Sequence, residues 1–153
     1  MNSEEEAKYR LTLAQGYLER AEEASKRGDH FAVISNSQLA VENSAKAVIS
    51  CFRIPSWSHD PSSELLEVTE SNRGKIEKRT GINVYHALST LASHSSNLAP
   101  EHGRMSYGDP NLRIPPWDLA NAQRAREALS YARESVKIAE KFVERWFSVD
   151  PKN

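Results

Sequence analysis

Cysteine is almost missing from this sequence: Cys51 stands alone among 153 residues. Disulfide frameworks and cysteine-ligated zinc sites need several thiols, so both are excluded for these residues. Long hydrophobic runs are missing as well. No stretch approaches the ~20 apolar residues of a membrane span, and the acidic opening Met-Asn-Ser-Glu-Glu-Glu has no apolar run behind it. The expectation is a soluble, cytoplasmic protein without a membrane partner. Net charge is −1 with 27% charged residues, so no global field calls for nucleic acid or a membrane surface, and only local basic patches remain open. The six glycines are scattered and form no phosphate-cradling loop. Alternating β-branched runs, the mark of strands, are absent.

What is present is helical periodicity. A first helix is expected from about Ser3 to Arg27, with Ser3 and Glu6 at its start and Ala7, Leu11, Ala14, Leu18 and Ala21 as its apolar stripe. Gly28 ends it and Asp29 caps the next, so a short link favours an antiparallel hairpin. The second helix repeats Ile34, Val41 and Val48, with Ala45 and Phe52, at seven-residue spacing, and stops near Arg53 because Pro55 follows. A short acidic helix is expected over Pro61 to Ser71. Asn72-Arg73-Gly74 then breaks it, and the basic stretch Arg73 to Arg79 reads as a solvated loop. A fourth helix spans about Asn83 to Leu98 on Val84, Leu88, Leu91, Ser95 and Leu98. Ala99 to Trp117, rich in proline and glycine, reads as one long loop. Asp118 is expected to cap a last helix that runs to about Phe147. The reading is an all-α, single-domain antiparallel bundle over residues 3–148, made of four long helices and one short one, followed by a tail at 149–153.

Gln38 is the residue that does not fit an apolar seam. It sits where a core side chain is expected, with Glu42 and Lys46 following at four-residue steps. A buried glutamine needs partners, which leaves a buried hydrogen bond or a ligand contact open. For Glu42 and Lys46 the alternatives are a polar stripe lining a cleft and a plain ion pair on a helix surface. In the long loop, Arg104, Tyr107 and Arg113 form the best nucleotide- or phosphate-contacting set, because binding residues concentrate on loops carried by a rigid scaffold. His86, His94 and His102 are spaced by eight. Each step drifts about 80° round a helix, so the three cannot face one ion, and neither a metal nor another cofactor is expected. Arg53-Ile-Pro-Ser-Trp and Arg113-Ile-Pro-Pro-Trp match at four of five positions, as a recurring helix-edge device.

The order of these elements resembles the HEPN domain. The resemblance rests on Gln38-Leu-Ala-Val-Glu-Asn-Ser-Ala-Lys-Ala47 in the second helix, the pair His59-Asp60 before Leu65-Leu66, and Arg104-Met-Ser-Tyr-Gly-Asp109 ahead of an alanine-rich helix. It covers about Tyr9 to Phe147. It implies a four- or five-helix bundle, usually a homodimer, that binds nucleotide or RNA and partners a small nucleotidyltransferase in toxin–antitoxin-type systems. It also implies an alternative, a stand-alone metal-independent ribonuclease, whose members carry an arginine followed shortly by a histidine. Arg79 and His86 offer that spacing here. Histidine can take the 2′-hydroxyl proton and arginine can hold phosphate oxygens, so one of each suffices for the chemistry. The structural alternative is a solvated loop arginine and a half-buried helix histidine. A helical protein-interaction module without a small ligand is the remaining reading.

Overall fold

Gly28, at φ +72°, turns the chain between α1 (Ser3–Lys26) and α2 (His30–Ser50). A left-handed backbone suits glycine at this helix end. Asp29 then caps α2, its carboxylate accepting from Ala32 N at 3.0 Å. The two helices pack as the expected hairpin. Ala7, Ala14 and Ala21 are fully buried along α1, and such small side chains let the backbones approach closely. The structure, a computed structural model, describes residues 3–148, apart from the side chains of Val84 and Tyr85; the expected tail at 149–153 lies outside them.

α2 is the central helix. From Ala40 to Cys51 every residue is buried, which requires cover on all sides. That cover comes from α1, from α5 (Ser89–Tyr107) and from α7 (Ala122–Ser148), with α3 (Ser62–Ser71) over one end. Leu91 shares a core with Val48 and Ile49, whereas Leu98 and Met105 share one with Ile34 and Val41, so α5 runs antiparallel to α2. α7 carries Leu129, Val136, Val143 and Trp146 into the same two cores. Phe142 and Trp146 stack there at 5.8 Å between centroids, and Phe52 lies 4.8 Å from Trp146. Among the described residues there are seven α-helices and no strand, and none of these helices is long and apolar enough to cross a membrane.

Three expectations need correcting. The basic stretch after Asn72 is not a loop but α4 (Arg73–Thr80): Ile76 and Thr80, four residues apart, are buried, which turns Lys75, Glu77 and Lys78 outward. Gly81, at φ +69°, closes α4. The fourth expected helix does not stop at Leu98. A single π-turn (Val84–Leu88) leads into α5, which continues through Pro100 to Tyr107. Glu101 and Met105 extend the buried stripe beyond Leu98 at helical spacing, and that burial outweighs the bond lost at proline. The long loop is correspondingly short. It is a tight hairpin in which Asp109 and Ile114 exchange backbone bonds of 2.8 and 3.0 Å, followed by the one-turn α6 (Pro116–Leu119). Finally, Asp118 lies within α6. The cap of α7 is Asn121, whose side chain accepts from Arg124 N at 2.9 Å.

Candidate functional site: a histidine pair over the polar seam of α2

Gln38, Glu42 and Lys46 occupy successive turns of α2 and are all buried, at 2%, 6% and 4% exposure. The seam is therefore neither an open cleft nor a surface ion pair. Gln38 Nε2 donates to Glu42 Oε1 at 3.1 Å, and Lys46 Nζ lies 3.4 Å from Glu42 Oε2. Two histidines from distant parts of the chain cover the string. His59, on the loop after α2, meets Glu42 Oε1 through Nδ1 at 3.1 Å. His102, on α5, meets Gln38 Oε1 through Nδ1 at 3.2 Å. The two imidazoles stack on each other, centroids 3.6 Å apart and planes 18° apart.

The acceptors settle the proton positions. A carboxylate oxygen only accepts, so His59 must donate through Nδ1. Gln38 spends its amide N–H on Glu42, so its carbonyl oxygen takes the His102 proton. In the neutral rings this leaves each Nε2 as an acceptor. His59 is 55% exposed at its side chain, whereas its anchor Glu42 is buried. The result is an oriented, solvent-facing imidazole held from below by the carboxylate of a buried ion pair, suited to accepting a proton or to stacking on a planar ring.

Glu42, His59 and His102 also bring three potential ligand atoms within 4.8 Å of one another. Stacked rings direct their nitrogens side by side rather than at one point, so closing on an ion requires one imidazole to leave the stack. His86 and His94 point elsewhere. His94 stacks on Tyr131 at 4.3 Å, while His86 lines a shallow groove with Lys137 and Lys141.

Arg79 lies 4.3 Å above the Trp146 ring, and His86 lines its groove with Gly81 and Ile82. Arg104 pairs with Glu101 at 3.7 Å near the end of α5. Tyr107 is 78% exposed, and Arg113 stands on the hairpin at φ +58°. The hairpin depends on Gly108, where an added Cβ would come 2.1 Å from Ile114 O. Sequence reasoning missed His59 and His102 as members of the site, although His59-Asp60 had been noted as part of the resemblance. It also missed that Arg53 precedes His59 by six positions, a second arginine–histidine pair of the spacing in question. The Arg53 guanidinium, however, reaches Glu64 and Glu67, each at 3.5 Å.

Comparison with characterised proteins and with solved structures gives no significant match. The model of the HEPN domain matches residues 7–146, nearly the whole chain and all of the helices that build the seam. With that match over an all-α bundle, the chain belongs to the HEPN domain family.

Proposed function

We propose that this HEPN domain binds nucleotide or single-stranded RNA on the face formed by His59, Trp57 and the α5 hairpin. The observation that carries the reading is the half-exposed His59 ring, stacked on His102 and anchored to buried Glu42. Single-stranded RNA is recognised by stacking of unpaired bases on aromatic rings and arginine planes, with cations on the phosphates. Trp57 is 93% exposed on the same loop as His59, and the second Arg-Ile-Pro-X-Trp element leaves Trp117 66% exposed beside Arg113. Tyr107, 78% exposed at the end of α5, adds a further aromatic ring of the kind single strands stack on. Gln38, Glu42 and Lys46 support this face from below rather than touching the ligand. The domain pairs with a second copy of itself and works with a nucleotidyltransferase-type protein in a toxin–antitoxin-type arrangement.

A mobility-shift titration with labelled single-stranded RNA in EDTA, beside titrations with mononucleotides, tests the reading. A saturable shift with intact RNA supports it, and no shift with either class of ligand removes it.

The second reading, metal-independent RNA cleavage, is favoured by one observation: a buried carboxylate orienting an exposed imidazole is the arrangement of a general base. It moves the base from His86 to His59. If RNA is cut in EDTA, His59→Ala abolishes the cut and His86→Ala does not. The reverse pattern returns the chemistry to Arg79 and His86.

A further inference from the structure

The charges on the C-terminal half of α7 are sorted by side. Glu140 and Glu144 line a groove against α1, and Glu134 meets His94 at 3.4 Å. Lys137 and Lys141 turn the other way, where they line a groove of about 320 Å³ together with exposed His86. α4 adds cations to that side. Arg79 and Lys75 lie over the Trp146 ring at 4.3 and 5.6 Å, and Arg145 donates to Thr80 O at 3.1 Å. None of these five lysines and arginines has a carboxylate partner among the described residues. Glu77, the one acid of α4, faces Arg73 at 3.9 Å. A chain of net charge −1 thus gathers its unpaired cations on one face.

Like charges gathered this way repel one another, and a bound polyanion relieves the repulsion. Three features say which polyanion. Lys137, Lys141 and Arg145 follow at four-residue steps, about 6 Å of helix rise each, close to the separation of successive phosphates on an extended strand. The groove beside them has an apolar floor, Ile82, Ala87 and Ile138, on which a ribose or a base can rest. None of the exposed large hydrophobics among the described residues lies on α4 or α7, so the face lacks the protruding side chains with which a membrane-binding surface anchors. Single strands also need such cations, because phosphate contacts carry much of their affinity. On the histidine face, Arg53 and Arg104 are already held by glutamates.

We infer that the α4–α7 face is a phosphate-binding track for single-stranded RNA. Lys137, Lys141 and Arg145 hold successive phosphates, and the groove beside His86 seats one nucleotide. The ligand class rests on the RNA reading above, whereas the residues are separate from the histidine face.

Fluorescence anisotropy of a labelled single-stranded RNA, titrated with the full chain at several salt concentrations, tests the track. The double variant Lys137→Ala/Lys141→Ala should weaken binding about tenfold and flatten the plot of log K against log salt by about 1.4, two contacts at ~0.7 each. Both lysines are exposed, so the fold is spared. Lys26→Ala/Arg27→Ala, an equal change of charge at the exposed end of α1, should leave affinity and slope as in wild type. An equal loss in that control, or no loss in the α7 variant, overturns the track. His59→Ala runs beside them. Dependence on the lysines without dependence on His59 keeps the track and removes the histidine face, and the reverse keeps the face and removes the track. Absence of RNA binding removes both. Tighter lysine-dependent binding of poly-glutamate or of phosphatidylserine vesicles than of RNA also overturns the proposal.

Discussion

His59 lies flat on His102, ring centroids 3.6 Å apart, and each ring sends its Nδ1 to an oxygen on the same buried face of α2. One residue comes from the loop after α2 and the other from α5, so the stack ties that loop to the bundle. It also places an aromatic platform directly above a buried ion pair.

That ion pair sets the first prediction. Lys46 and Glu42 side chains are 5% and 8% exposed, and breaking a buried pair leaves an uncompensated charge. Glu42→Leu should cost about 3 kcal/mol or more of unfolding free energy. Adding Lys46→Met should recover much of it, since removal of both charges leaves neither unpaired. Urea denaturation of the single and double variants gives the comparison. A double variant no more stable than Glu42→Leu would show that the seam is held by something other than charge pairing.

Two glycines near the end of α5 should respond in opposite directions. Gly108 holds φ +70° with Ile114 O in the way of any Cβ, so Gly108→Ala should destabilise by at least about 2 kcal/mol. Gly103 is helical with open space where its Cβ would be, and Gly103→Ala should stabilise by up to about 1 kcal/mol. Thermal melts followed by circular dichroism separate the two.

Cys51 should be silent in the folded protein. Burial pushes its thiol from the ordinary value of 9.0 up to about 12, against a smaller opposing effect of Arg79. At pH 8, a chromogenic disulfide reagent should leave the native thiol untouched and titrate it fully in urea. Because the folded value lies above the unfolded one, the unfolded chain releases a proton that the folded chain keeps as pH rises between them. The thiol therefore leaves stability unchanged below pH 8 and lowers it progressively above pH 9. Fast labelling of the native protein would contradict this.

Self-association follows from the family-based proposal. Sedimentation equilibrium should give twice the 17.2 kDa of one chain. A monomer at all accessible concentrations would remove the paired arrangement without affecting the seam itself.

The bundle was legible because its long helices carry period-3.6 stripes that coincide with burial, as with Leu129, Val136 and Val143 of the last helix. Gln38 was legible as a misfit, since polar residues on such a seam need partners. The partners were not, because they arrive from His59 and His102 through tertiary packing that no local pattern encodes. Proline and basic residues misled for a related reason. Pro100 stops an isolated helix but not one whose next turns bury Glu101 and Met105, and the charges of α4 hide the single apolar anchor Ile76. The signals that could have found these features were Met105, seven residues beyond Leu98, and Thr80, four beyond Ile76.

The most direct test of the histidine-capped face is fluorescence anisotropy of a labelled single-stranded RNA, titrated with wild type and His59→Ala in EDTA at low ionic strength. His59 is largely exposed, so its loss should spare the fold. The expected result is saturable binding by wild type that weakens about tenfold or more in His59→Ala, as loss of one stacking ring implies. No binding by wild type, or equal affinity in a folded His59→Ala variant, would contradict the account.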